Sequence, residues 1–193
     1  MTNSVKRLIV GISGASGAIL GVRMLQVLAA MQTIETHLVI SHAARLTIQE
    51  ETGLNTSQVE ALASVAYPPE AIGAAIASGS FPAYGMVIIP CSVKTLSAVA
   101  HCYASDLMAR AADVTLKEGR PLLLVVRETP LHAGHLRLML QAAELGAVIY
   151  PPVPAFYAHP ASVEQLVDNT VGRVLARLGI ENQLYLQWQG RDG

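Results

Sequence analysis

Two short loops hold most of the residues whose types suit anion binding: Gly11-Ile-Ser-Gly-Ala-Ser-Gly17 and Pro90-Cys-Ser-Val-Lys-Thr95. In the first, small residues let backbone amides at a helix N-terminus approach an anion closely. In the second, the Ser92 and Thr95 hydroxyls offer donors and Lys94 adds positive charge. Each loop alone has a plainer reading, a tight strand-to-helix turn for the first and a helix N-cap for Ser92. A second group is cationic. Arg110 and Lys117 stand two helical turns apart on one face, and Arg127-Glu128 closes a buried apolar run. Arg173 falls on an apolar helix, where it must snorkel or pair. An isolated pair on a helix serves solubility, whereas charges at the carboxyl end of a buried strand point into a ligand crevice.

The spacing says which anion suits the first loop. A dinucleotide fingerprint needs Gly-x-Gly-x-x-Gly and an acidic residue after the second strand. Here the glycines fall at 11, 14 and 17, and the second strand ends in Ser41. The Gly-Lys-Ser/Thr ending of a nucleoside-triphosphate loop is missing too. A mononucleotide such as FMN fits better, because it needs a phosphate cradle and no second ribose clamp. The six histidines do not make a metal site: His132 and His135 are three apart on a helix, with no third ligand at suitable spacing. Cys91 reads as a small core residue, and two cysteines make no disulfide framework, which suits a reducing cytoplasm. Tyr150–Tyr157 is a stiff Pro-rich loop presenting Phe156 and Tyr157.

The elements that must position these residues alternate. Strands are expected at Leu8–Ile12, His37–Ile40, Gly85–Pro90, Leu122–Val126 and Ala147–Tyr150. Helices are expected near 18–31, 43–51, 93–100, 107–118, 131–145 and 163–178, the last with Val163, Leu166, Val167, Val171, Val174 and Leu175 on one face. Asn55–Gly79 reads as an irregular helical excursion and Gly190–Gly193 as a frayed end. Continuous apolar strands between helices imply an α/β fold, a Rossmann- or flavodoxin-like domain with a mainly parallel sheet covered on both faces. At 193 residues the chain is expected to be a single flavin-binding domain, 1–193, with a core about 7–180 and a tail 181–193, against roughly 150 residues per domain.

Composition bounds the function. Charged residues make up 14% and hydrophobic ones 52%, with net charge −1. The balance excludes a dedicated nucleic-acid binder, which would need a basic stripe. No apolar run reaches the roughly 18 residues of a membrane span. Met1–Arg7 runs into the first strand and leaves no room for a signal peptide. So few charges imply a soluble oligomer that hides part of its surface.

The stretches Gly11–Gly17, Ser78-Gly-Ser80, Pro90–Leu96, Arg110–Glu118, Arg127-Glu-Thr-Pro130 and Pro154-Ala-Phe-Tyr157, in that order and spacing, resemble the flavin prenyltransferases (UbiX-type). The resemblance runs from Arg7 to about Ile180. It implies a cytoplasmic homododecamer with active sites at subunit contacts. Such an enzyme joins a dimethylallyl group from dimethylallyl monophosphate to N5 and C6 of reduced FMN, without metal. The prenylated flavin then serves a UbiD-type decarboxylase, in bacteria often in ubiquinone biosynthesis.

Carried over by position, the resemblance implies FMN contacts at Gly14, Ala15, Ser16, Ser41, Ser92, Val93, Lys94, Thr95 and Arg127. It implies a substrate-phosphate site of Arg110, Lys117, Tyr157 and Arg173, with Glu128 beside it as proton donor. Clustered cations and a proton donor suit a poor leaving group such as monophosphate. Ser16 and Glu51 are implied to assist proton movement, with an exposed acidic turn as the simple alternative for Glu51. His42 stands where the family often has Lys. The aromatic wall of the prenyl pocket has no assigned residue; Tyr84 and Tyr67 are candidates.

Two other functions share the fold. A flavin-dependent cysteine decarboxylase would carry a catalytic His in the first helical region and a Pro-x-Met-Asn-x-x-Met-Trp segment, and neither is visible. A non-catalytic flavin carrier would have no purpose for Arg110, Lys117 and Arg173.

Overall fold

The computed structural model describes residues 5–190. The expected frayed end therefore falls, apart from Gly190, outside the described residues, as does the start of the N-terminal segment. The chain forms two compact units that divide between Pro151 and Pro152.

The first unit alternates strand and helix. Its strands are β1 (Lys6–Ile12), β2 (Ile34–Ile40), β3 (Val65–Tyr67), β4 (Ala83–Cys91), β5 (Leu122–Val126) and β6 (Val148–Ile149). Its helices are α1 (Ala18–Ala29), α2 (His42–Thr52), α3 (Thr56–Glu60), α4 (Val93–Ala100), α5 (Leu107–Lys117) and α6 (Ala133–Glu144). The strands make one sheet in the order β3-β2-β1-β4-β5-β6, and every pairing is parallel. This is the doubly wound α/β arrangement that the apolar strands imply. The chain runs outward from β1 to β3, then returns to lay β4 on the other side of β1. Strand order reverses there, so the loops after β1 and β4 flank a crevice at the carboxyl ends of the strands.

The strands are buried because their residues are apolar on both faces. Leu8, Val10, Ile12, Val87, Ile88 and Leu122–Val125 are all fully buried, and each large apolar side chain so placed is worth about 1.5–3 kcal/mol. On one side, β4 and β5 pack against Leu96 and Val99 of α4 and Leu107, Met108 and Ala111 of α5. Helix α1 buries Val22, Met24, Leu25 and Leu28.

Three expectations need correction. The segment 55–79 is not simply helical. It holds α3, closed by a capping box between Asn55 and Gln58, then the edge strand β3, whose Val65 and Ala66 are exposed. A short 3-10 turn at Ala75–Ala77 follows. Strands β1 and β2 also begin earlier than their apolar runs, because their polar starts pair across the sheet. Arg7 Nε donates to Glu35 Oε2 at 3.1 Å, and His37 lies 3.0 Å from Glu35 Oε1 and 2.9 Å from the Tyr67 hydroxyl. Burial pushes the His37 imidazole below its ordinary pKa against the pull of Glu35. Finally, His132 is the N-cap of α6, not a residue within it: its Nδ1 accepts from Gly134 N at 3.0 Å, and its ring lies 3.6 Å from that of His135.

Helix α6 is apolar on more than one side. Ala142 is its one buried residue, while Leu136 and Leu140 are more than half exposed. The stripe expected at Leu136, Leu138, Met139, Leu140 and Ala143 therefore splits, with Leu138 and Met139 packing on the core. No helix among the described residues is long and apolar enough to cross a membrane.

In the second unit, a 3-10 turn at Phe156–Ala158 precedes α7 (Val163–Arg177). Ser162 caps α7 by accepting from Gln165 N. Val167, Val171, Val174 and Leu175 form its buried face, while Val163, expected on that face, is exposed and Leu166 is half-buried. The chain after α7 returns along it, with Asn182 Nδ2 donating to the Gly172 carbonyl at 3.0 Å.

Candidate functional site

A buried hydroxyl fixes the two loops at the switch point. Ser13, which is fully buried, donates through Oγ to the Pro90 carbonyl at 2.9 Å and accepts from Ser92 N at 2.7 Å. The end of β4 is thereby tied to the end of β1, and Ser92 starts α4 at a set position. The Ser92 side chain caps α4 by accepting from Thr95 N at 3.3 Å, and Ser41 caps α2 by accepting from Ala44 N at 3.2 Å. The capping reading offered for Ser92 is correct, and the cap is also what aims the helix.

The N-termini of α2 and α4 open onto one crevice of about 630 Å³. Gly14, Ser41, Ser92, Lys94 and Thr95 all line it. Two positive helix ends, two capping hydroxyls and an ammonium are what a phosphate monoester needs. Gly14 is required by close approach: a Cβ there would lie 2.4 Å from Ala43 Cβ. The β1 loop thus passes against the first turn of α2 and leaves the space beside it open. The residues fit a mononucleotide held by its phosphate.

The anion at the N-terminus of α1 is internal. Gly17, with φ 100°, donates to the Glu51 carboxylate at 3.1 and 2.9 Å, and Ala18 N donates to it at 2.7 Å. The first loop was expected to offer these amides to a bound anion; Glu51, from the last turn of α2, takes them instead. Glu51 is consequently neither a free acidic turn nor remote from the loop. It holds α1 and α2 together beside exposed Ser16. Ala15 N is likewise used, donating to the Ser13 carbonyl at 2.9 Å. Val93 is half-buried as the first residue of α4.

Arg127 and Glu128 follow β5, next to β4 in the sheet. Arg127 N donates to the Cys91 carbonyl at 3.1 Å, which leaves its exposed side chain on the same edge as Ser92. Glu128 Oε1 accepts from Thr129 N at 2.9 Å. Cys91 is buried, and burial pushes its thiol far up, so it is an inert core residue.

The first unit does not bring Arg110 and Lys117 to this crevice. Helix α5 runs antiparallel to the strands, so Lys117 lies at their amino ends. Arg110 pairs with Asp113 at 2.9 Å and its Nε donates to the Ala77 carbonyl; Lys117 pairs with Glu118 at 2.5 Å. Lys117 holds the Glu118 carboxyl below its ordinary pKa. Tyr157 and Arg173 belong to the second unit, where the Tyr157 ring meets Trp188 edge-on at 5.6 Å and the Arg173 guanidinium lies 5.6 Å from the Tyr185 ring centre.

Of the aromatic candidates, Tyr84 is at the amino end of β4 under the Lys6 ammonium, and Tyr67 stacks on His37. Tyr103 lines the crevice instead, as do His42 and Glu70. Sequence reasoning missed Glu70 and Tyr103 because both sit in irregular segments far from the two loops. Among the described residues, no three His, Cys, Asp or Glu side chains converge on a metal position.

A switch-point crevice of about 630 Å³ with phosphate-ready helix ends defines a flavoprotein-like site, and a family profile described as Flavoprotein matches residues 1–175. Flavin prenyltransferase UbiX of Escherichia coli strain K12 is 60% identical over 188 residues, covering 96% of this chain and 100% of the relative. AnUbiX (PadA1), solved in complex with FMN and dimethylallyl pyrophosphate, superposes with a TM-score of 0.93 at 46% identity, covering 96% of this chain and 98% of that one. A dodecameric FMN-dependent UbiX-like decarboxylase from Escherichia coli O157:H7 gives 0.93 at 49% identity, covering 95% and 100%. The chain belongs to the UbiX-type flavin prenyltransferase family.

Proposed function

We propose that this protein joins the dimethylallyl group of dimethylallyl monophosphate to N5 and C6 of reduced FMN, releasing phosphate. One observation carries the reading. Five positions that the family resemblance assigns to flavin, Gly14, Ser41, Ser92, Lys94 and Thr95, line a single crevice at the strand-order switch. Bound there, reduced FMN would supply the electron-rich acceptor. The chain's own groups bind the phosphate, keep water away and place protons. The Ser41 and Ser92 helix ends with Lys94 take the flavin phosphate, and Arg127 stands on the same edge of the sheet.

Arg110, Lys117, Tyr157 and Arg173 are assigned to the phosphate of the prenyl donor, Glu128 to its protonation, and Ser16 and Glu51 to proton movement beside the flavin. In the first unit, Arg110 and Lys117 are each paired with an acid, and neither lines the flavin crevice. A site completed at subunit contacts, in a homododecamer, accommodates that placement. The uncovered Leu136 and Leu140 of α6 support burial between copies. The product is a cofactor for another enzyme, which we assign to the UbiD-type decarboxylases of ubiquinone or aromatic-acid metabolism in the cytoplasm.

The test is direct. Protein, reduced FMN and dimethylallyl monophosphate should yield a flavin heavier by one C5 unit in the mass spectrum, with a parallel reaction on the pyrophosphate to show which donor is used. Unmodified FMN from folded protein with both donors would refute the reading.

Gly14→Ala tests the crevice itself. The new methyl group must displace Ala43 or the β1 loop, and overpacking of this kind costs about 1–3 kcal/mol. Because 1.4 kcal/mol is tenfold in affinity, FMN is expected to bind roughly tenfold more weakly, as read by flavin fluorescence titration. Unchanged affinity would place the flavin elsewhere.

A further inference from the structure

His42 is the first residue of α2, and its Nε2 pairs with Glu70 Oε1. Both side chains line the crevice, yet both are more than 60% exposed, so the pair lies at the rim. Its two halves come from different walls. His42 follows the Ser41 cap, whereas Glu70 sits on the Pro68–Ile72 turn, which is anchored from the other side by Leu107 N donating to the Pro69 carbonyl at 2.8 Å. The turn is folded on itself by Ile72 N donating to the Glu70 carbonyl at 2.8 Å and Ala71 N to the Pro68 carbonyl at 3.0 Å. The ion pair thus ties the start of α2 to the start of α5 across the opening.

We propose that His42 and Glu70 form a proton-dependent strap across the mouth of the flavin crevice, which sets how fast flavin leaves. This rests on the crevice being the flavin site. An enzyme whose product is a cofactor used elsewhere must release it, so a rim contact that opens is part of turnover.

Imidazole is the side chain whose ordinary titration falls between about pH 5 and 8. With His42 protonated the pair is charged and the rim is held; with His42 neutral it loosens. The Glu70 carboxyl is held below its ordinary pKa by its own backbone N–H, by His42 and by Arg45. The other charged or titratable groups facing the pair are Arg45 of α2, Lys94 of α4, and Tyr103 and Asp106 before α5. Side chains of these types ordinarily keep one charge state over that range. His101, whose Nδ1 lies 2.8 Å from the Ser97 carbonyl, lines a neighbouring recess with Lys94 and Tyr103. That histidine and the flavin phosphate are common to wild type and every rim variant.

The experiment is the dissociation rate of FMN from the full chain, followed by recovery of flavin fluorescence on dilution, from about pH 5.5 to 8. Exposed ion pairs have small effects, so wild-type release is expected to quicken by only roughly two- to fivefold across that range. Beyond any pH dependence shared by all the proteins, His42→Gln and Glu70→Gln should each release FMN at the fast rate throughout, and His42→Lys at the slow rate throughout, because a Lys stays charged. A wild-type pH profile surviving in either Gln variant would overturn the strap and leave the flavin site standing. A chain that binds no FMN at any pH would overturn both.

Discussion

Glu128→Gln is expected to lower the rate of C5 transfer to flavin by about 10²–10⁴-fold, the usual contribution of a positioned proton donor, while FMN stays bound. The reasoning starts from the leaving group. Breaking the C–O bond of a dianionic phosphate monoester would release phosphate as a trianion unless a proton or a set of cations meets the charge that develops. Glu128 stands directly after β5 on the carboxyl edge of the sheet, one residue from Arg127. Its Oε1 is held by Thr129 N at 2.9 Å. A glutamine side-chain oxygen accepts the same bond, so the loop keeps its geometry and only the exchangeable proton is lost. Single-turnover mass spectrometry reads the transfer, and flavin absorbance after gel filtration reads retention. Loss of FMN together with turnover would make Glu128 part of the flavin cradle. Undiminished transfer would remove it from the chemistry.

Legibility in the sequence followed burial. Leu8–Ile12 and Leu122–Val126 announce themselves as strands because they are apolar on both faces, and all ten residues but Gly11 are found among the buried hydrophobics. Val65–Tyr67 does not, since an exposed edge strand needs no apolar signature. Arg7 and Glu35 hid the starts of β1 and β2 for a related reason: their polarity reads as loop, yet they pair with each other across the two neighbouring strands. The same contrast holds at the site. Ser92, Lys94 and Thr95 were readable because each lies where a strand hands over to a helix, a position fixed by local chain logic, whereas Ser41 as a flavin contact came only from the family resemblance.

Glu70 meets His42 only through the tertiary course of the chain between α2 and β4, and nothing local marks it. The pairing of Arg110 with Asp113 and of Lys117 with Glu118 was within reach, at separations of three and one. Helix direction then carries Lys117 to the amino ends of the strands. A cationic face on the sequence is therefore not yet a cationic site.

Glu51 gives the second large effect, and here two roles must be separated. The carboxylate receives Gly17 N and Ala18 N at 2.7–3.1 Å, which satisfies amides that a helix N-terminus otherwise leaves without an acceptor. Its negative charge also suits the positive end of α1. Glu51→Ala removes the cap from outside the helix. It should cost about 0.5–2 kcal/mol of stability and loosen the β1 loop on which Gly14 and Ser16 stand. Any loss of turnover in that variant is ambiguous.

Glu51→Gln is not ambiguous. Its side-chain carbonyl still accepts from both amides, while the group can no longer take up or deliver a proton. If Glu51 moves protons beside the flavin, the Gln variant should melt within a few degrees of wild type and retain FMN, yet complete the C5 transfer about 10²–10⁴-fold more slowly. Thermal melting followed by circular dichroism and single-turnover mass spectrometry separate these outcomes. A Gln variant that is as stable and as active as wild type would show that Glu51 serves α1 alone. The proton work would then fall to Ser16, its exposed neighbour on the loop.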